Sequence, residues 1–192
     1  MGDIDFGRIE LQHRRNDEGQ GSDSVISSWH VPFLFTYAAP EGRKHLNWIR
    51  PGGSVERFEN KQIEKRAPDH LVETWTAVSD GTAGNYQFFG RDGTIYTYEQ
   101  GQIRSLELPD GREFQFDTDG PRITQIRQRG ANVPLIKADY DSAGQLTDLL
   151  IGEIRHRFSY SRNRLTAKGR PGQKQMEIKG HPQNASGTFG VL

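Results

Sequence analysis

Tyr96-Thr97-Tyr98-Glu99-Gln100-Gly101-Gln102-Ile103 decides the fold of this chain. Two aromatics one residue apart are followed by an acid, a glycine and a branched apolar residue. The same order returns as Phe114-Gln115-Phe116-Asp117-Thr118-Asp119-Gly120-Pro121-Arg122-Ile123. It returns again as Asp139-Tyr140-Asp141-Ser142-Ala143-Gly144-Gln145-Leu146, and in degenerate form as Phe158-Ser159-Tyr160-Ser161-Arg162-Asn163-Arg164-Leu165. A recurring unit is read as architecture before any single residue is read as chemistry. The anchors Tyr98, Phe116, Tyr140 and Tyr160 are 18, 24 and 20 residues apart, which is room for two strands and two turns per unit.

In an extended chain, residues two apart share a face. Tyr96 and Tyr98 therefore point one way, as do Phe114 and Phe116. Ile154, His156, Phe158 and Tyr160 make the longest such run, with Arg155, Arg157, Ser159 and Ser161 opposite. This alternation predicts half-buried strands, not helices. The glycines fall just past each anchor, where a tight turn needs positive φ. Asn163 takes that place in the fourth unit. Asp92-Gly93 and Asp110-Gly111 predict two further hairpin turns.

With these residues the chain resembles the Rhs/YD-repeat family, whose unit runs roughly G-x-x-x-x-Y-x-Y-D-x-x-G-R-L-x-x-I. Residues 111–126 fit it well, and residues 93–106 fit with Glu99 in place of the aspartate. Residues 139–149 keep the Tyr-Asp pair, while residues 152–167 have lost both the aspartate and the turn glycine. The resemblance spans about residues 85–167. It implies a curling β-shell of repeats, in bacterial members around a toxic C-terminal domain, in animal members within an adhesion ectodomain. It also implies a secreted or cell-surface location. Only four units are recognisable, with no evident C-terminal toxin, so the expectation is a reduced or fragmentary relative.

Composition agrees with a sheet that is aromatic on one face and wet on the other. Of 192 residues, 33% are apolar and 10% aromatic, and mean hydropathy is −0.79. Net charge is zero, which leaves no whole-chain case for nucleic acid. Cysteine is absent, so disulfides and thiolate metal sites are excluded. The most apolar run, Val31 to Ala39, contains Pro32 and is too short to span a bilayer. The start Met1-Gly2-Asp3-Ile4 has neither the basic nor the apolar region of a signal peptide.

The fold class predicted is all-β: an antiparallel meander of hairpin repeats curling into an open barrel, a sandwich or a shell segment. One structural domain is expected, in three stretches. Residues 1–84 form a divergent β-rich lead-in or cap, residues 85–167 the repeat sheet, and residues 168–192 a Gly/Pro-rich, partly disordered tail. Residues 60–70 are a loop or short helix. Strands are expected at 4–15, 25–30, 32–38, 45–50, 54–59 and 71–78, and then at 84–89, 94–99, 102–108, 112–117, 122–128, 134–140, 145–151, 153–160 and 163–168. Beyond 168 only 175–179 looks able to form one.

Candidate sites are few. Asp117 with Asp119, and Asp139 with Asp141, have a spacing that can ligate calcium, but turn chemistry explains them better. His13, His30, His45, His70, His156 and His181 form no ligand pattern, and His156 sits on the aromatic face as a core residue. No nucleophile elbow or phosphate loop is present. No catalytic, cofactor or metal residue is assigned. Two features remain. Eight basic residues between 150 and 180, against Glu153 and Glu177, give +6 there. Arg155, Arg157, Arg162 and Arg164 are the candidate contacts to an anionic partner, or else a solvated face that resists edge pairing. Trp29, Trp48 and Trp75 lie in the lead-in. Trp48 and Trp75 are candidate sugar-stacking residues, or else a cap on the end of the aromatic sheet.

The reading is a non-enzymatic structural or interaction protein. The alternative is a module that binds carbohydrate or an anionic surface through exposed tryptophan and the basic strand, with a protein or glycan at the bacterial cell surface as partner. A hydrolase is the remote third.

Overall fold

The computed structural model describes residues 8–15, 27–30, 34–41, 44–51, 54–70, 72–161, 164–168, 176–179 and 187–190. The first strands are β1 (Arg8–Arg15), β2 (Ser27–His30), β3 (Tyr37–Glu41), β4 (His45–Ile49) and β5 (Val55–Glu59). A single turn of 3-10 helix at Asn60–Gln62 follows. Then come β6 (Thr76–Val78), β7 (Tyr86–Phe89), β8 (Ile95–Glu99), β9 (Gln102–Glu107), β10 (Glu113–Asp119) and β11 (Arg122–Gln128). The last are β12 (Ile136–Tyr140), β13 (Leu146–Ile151), β14 (Ile154–Ser161), β15 (Arg164–Lys168), β16 (Met176–Lys179) and β17 (Gly187–Gly190). The protein is all-β, and its strands run as antiparallel meanders.

The chain divides into two compact units, residues 33–135 and residues 1–32 with 136–192. The division falls within the repeats, not at the lead-in boundary near residue 84. The reason is local. Each hairpin touches chiefly its neighbours, and the lead-in sheet packs with the first hairpins instead of standing apart.

In the unit of residues 33–135, β6 to β11 follow one another in sequence order, and β3-β4-β5 form a separate three-stranded sheet. Pro40 lies in β3, an edge strand, where its missing N–H breaks no ladder. Leu46 and Trp48 of β4 are buried, two apart on one face, with Ala38 of β3 and Phe58 of β5 beside them. Residues 34–38 act as a strap across the turns of two successive hairpins. Phe35 bridges Arg122, the Thr36 amide donates to the Pro121 carbonyl at 3.0 Å, and the Ala38 amide donates to the Gly101 carbonyl at 3.0 Å.

The return strands hold a feature that period-two reading misses. Ile103 and Leu106 are both buried, as are Ile123 and Ile126, and Leu146 and Leu149. Residues three apart in a regular strand face opposite ways. In each hairpin the register slips by one residue: between Thr97 and Tyr98, between Asp117 and Thr118, and between Asp139 and Tyr140. Tyr98 thus faces Ile103 while Thr97 faces Ser105, and Arg104 is the extra residue of a β-bulge. Thr124 and Thr147 hold the same place in the next two units. The L-x-x-I spacing of the unit is therefore the mark of a bulge. In the fourth unit β14 and β15 pair in unbroken register from Arg157–Lys168 to Ser161–Arg164, and Lys168 stands where the second apolar residue would be.

In the unit of residues 1–32 and 136–192, β12 to β16 are again in sequence order, and β17-β1-β2 form a small sheet. Ile136, Ala138, Leu146, Leu149 and Phe158 are its buried apolar residues among those described. β16 lies at the one strand-capable stretch expected in the tail. β17 was not expected. It pairs with β1 from Arg8–Gly190 to Leu11–Gly187, because a sheet edge supplies the hydrogen bonds its glycine-rich sequence cannot organise alone. Asn163 and the Gly52-Gly53 turn lie outside the described residues.

Candidate functional site

β4, β7 and β8 bring the aromatic residues of the first unit together. Trp48 is 0% exposed and stacks on Phe88 with centroids 3.9 Å apart and planes 2° from parallel. Trp75 meets it edge-on at 4.9 Å, and Tyr98 lies perpendicular to both Trp48 and Phe88. The edge-to-face contacts suit the quadrupoles of the rings.

One buried hydrogen-bond chain fixes this cluster. Thr36 Oγ1 donates to the Ile49 carbonyl at 2.7 Å, so its hydroxyl proton is committed there. Tyr98 therefore donates to Thr36 Oγ1 and accepts from Trp48 Nε1, the latter at 2.9 Å. Every polar atom of the trio is satisfied, as burial demands. Burial raises the Tyr98 pKa well above its ordinary 10.0, and the bonds to Thr36 and Trp48 only partly oppose it. The folded state thus favours the neutral phenol. That contribution is fully present below the unfolded pKa near 10 and is lost as pH climbs above it, at about 1.4 kcal/mol per pH unit. Replacing Tyr98 by Phe is expected to cost about 2 kcal/mol near neutral pH, because Trp48 Nε1 loses its buried acceptor. Urea unfolding at successive pH values should show the gap between the two proteins narrowing above pH ~10. A gap unchanged at high pH contradicts the buried phenol.

The structure places the candidate contacts as follows. Trp48 is closed to any ligand, which corrects its place among the sugar-stacking residues. The two-apart pair Leu46 and Trp48 was the available signal of an inward face. Trp75 is half-buried. Its ring is bounded by Trp48, Tyr96 and Gly90, and the Arg50 guanidinium carbon lies 5.6 Å from its centroid. Arg50 is itself held by Ser54 at 2.7 Å and Glu56 at 3.5 Å. Arg155 and Arg157 share one face of β14, and both pair with Asp148 of β13, at 3.2 and 3.6 Å. One carboxylate between two cations leaves that face less basic than the residue count suggested. Arg164 belongs to β15, with its side chain outside the described residues, and Arg162 lies outside them altogether.

Asp141 accepts backbone N–H bonds from Ala143 and Gln145 at 2.9 and 2.8 Å, the turn role expected of it. Asp117 is bound by Gln125 and Arg127 across β10 and β11. Among the described residues, no group of three or more histidines and carboxylates gathers as a metal site. No described helix is long and apolar enough to cross a membrane.

A groove was missed by sequence reading. It has a volume of about 390 Å³ and lies in the first unit, between the 65–67 segment and strands β7 and β8. Lys65 and Arg66 form one wall. The charged run 60–70 was the available signal, but its basic pair is balanced by nearby acids, and nothing in the sequence sets it against β7 and β8.

No protein-family model matches this chain, and no curated protein does.

Proposed function

We propose that the protein is a non-enzymatic structural or interaction module, a reduced relative of the Rhs/YD-repeat β-shell proteins from an exported bacterial protein. The observation that carries this reading is the bulge repeated at one place in three successive hairpins. An extra residue two positions before each second apolar residue is a property of a repeated unit, not of three unrelated hairpins. The strap of residues 34–38 supports the same reading, since it ties consecutive turns together as a cap does at the end of a repeat array. The filled aromatic core around Trp48 is spent on stability and offers no chemistry.

A repeat array with covered edges makes a testable demand. β16 covers β15, and β17 covers β1. Cutting the chain after Lys168 removes both and bares two strand edges. Light scattering is expected to show the whole chain unchanged in mass over a wide concentration range and the shortened chain associating as concentration rises. A shortened chain that stays monomeric throughout would count against β16 and β17 as the strands that shield the repeat array from association.

A further inference from the structure

We infer that the groove beside β7 and β8 is a binding site for an acidic saccharide, a short uronic-acid oligosaccharide; this rests on the reading of the chain as a non-enzymatic interaction module. Its volume of about 390 Å³ lies at the lower end of small-ligand sites, about 300–1,000 Å³.

The cationic wall is positioned by backbone bonds. Glu64 bridges Val78 in parallel: its amide donates to the Ala77 carbonyl at 2.8 Å, and its carbonyl accepts from the Ser79 amide at 2.9 Å. The next two residues, Lys65 and Arg66, are thereby set at the groove. Neither has a carboxylate within salt-bridge distance among the described residues, whereas Arg50, Arg57, Arg104, Arg112, Arg127, Arg129, Arg155 and Arg157 all do. Two acids also line the groove. Glu99 pairs with Arg104 at 3.4 Å, and Asp80 keeps its charge while its Oδ1 accepts from the Thr82 amide at 2.7 Å. Lys65 and Arg66 against Asp80 leave the lining net positive, which suits a carboxylate.

The remaining polar groups suit hydroxyls. Gln87 donates to Thr97 at 3.5 Å, a long bond that leaves its carbonyl oxygen open, and Asn85 uses its oxygen on the Gln100 amide at 3.3 Å, which leaves its NH₂ to donate. Side-chain acceptors and donors side by side match a sugar hydroxyl, which is both. An extended peptide is disfavoured, because Glu64 already occupies the free edge of β6 where such a strand would add.

Titration calorimetry of the full chain with digalacturonate and with the neutral disaccharide cellobiose tests the site. Digalacturonate is expected to bind at least about tenfold more tightly, and Lys65→Glu with Arg66→Glu to abolish that preference while the thermal midpoint holds. Arg155→Glu with Arg157→Glu is expected to leave binding unchanged. Absence of binding, equal binding of both sugars, or loss of binding only in the Arg155/Arg157 variant overturns the groove and leaves the module reading standing. Binding followed by cleavage of the sugar upholds the groove and overturns the non-enzymatic reading.

Discussion

Trp48→Ala is expected to cost about 4 kcal/mol, the largest loss of any single truncation in the first unit. Trp48 is wholly buried, stacked on Phe88 and in contact with Phe58, Trp75, Tyr96 and Tyr98. Removing the indole opens a void between the β3-β4-β5 sheet and the meander, and it takes away the donor to Tyr98. Natural domains hold only about 5–15 kcal/mol in total, so this variant sits near the limit of folding. Trp48→Phe keeps most of the stacked area and is expected to lose about half as much. Urea unfolding followed by circular dichroism measures both. A cost below about 1 kcal/mol for the alanine variant would show that the stack does not hold the two sheets together.

Gly101→Ala is the second. Gly101 has φ of 77°, and a Cβ there would lie 2.7 Å from the Ala38 carbonyl oxygen. Two costs combine: a left-handed backbone that alanine resists, and a collision with backbone that cannot rotate away. The strap must retreat, which strains the Ala38–Gly101 hydrogen bond. The expected loss is about 3 kcal/mol, or roughly 10 °C in Tm for a chain of this size. Gly111→Ala separates the two costs. Gly111 also has positive φ, 82°, but a Cβ there meets nothing within 4 Å. That variant should lose only about 1 kcal/mol. Calorimetry of the pair decides. Equal losses would mean that the strap yields freely and does not grip the turn.

Much of the fold was legible because strand formation here is local. Tyr96 and Tyr98, Phe114 and Phe116, and Ile154 to Phe158 alternate cleanly, and glycines or Asp-Gly pairs end the strands. The structure returns β8 to β15 within a residue or two of the expected bounds. What depended on distant partners was not legible. Trp48 finds Phe88 and Tyr98 forty and fifty positions away, and nothing within β4 reveals them. Arg155 and Arg157 looked like a free basic face because Asp148 reaches them only through the β13–β14 register. The bulge lay in plain view as a spacing of three, but a pattern of twos hides it. The groove depends on a loop laid along β6 by two backbone bonds, and no residue periodicity encodes that.

The extra residue at Arg104, Thr124 and Thr147 has a consequence for how such a chain changes length in evolution. Each hairpin corrects its own phase: inward-facing parity, carried down one strand, is reset before the next unit begins. A whole unit gained or lost therefore leaves its neighbours right side in. The spacing between anchors can drift from 18 to 24 residues without turning the aromatic stripe to solvent. The fourth unit has no such correction.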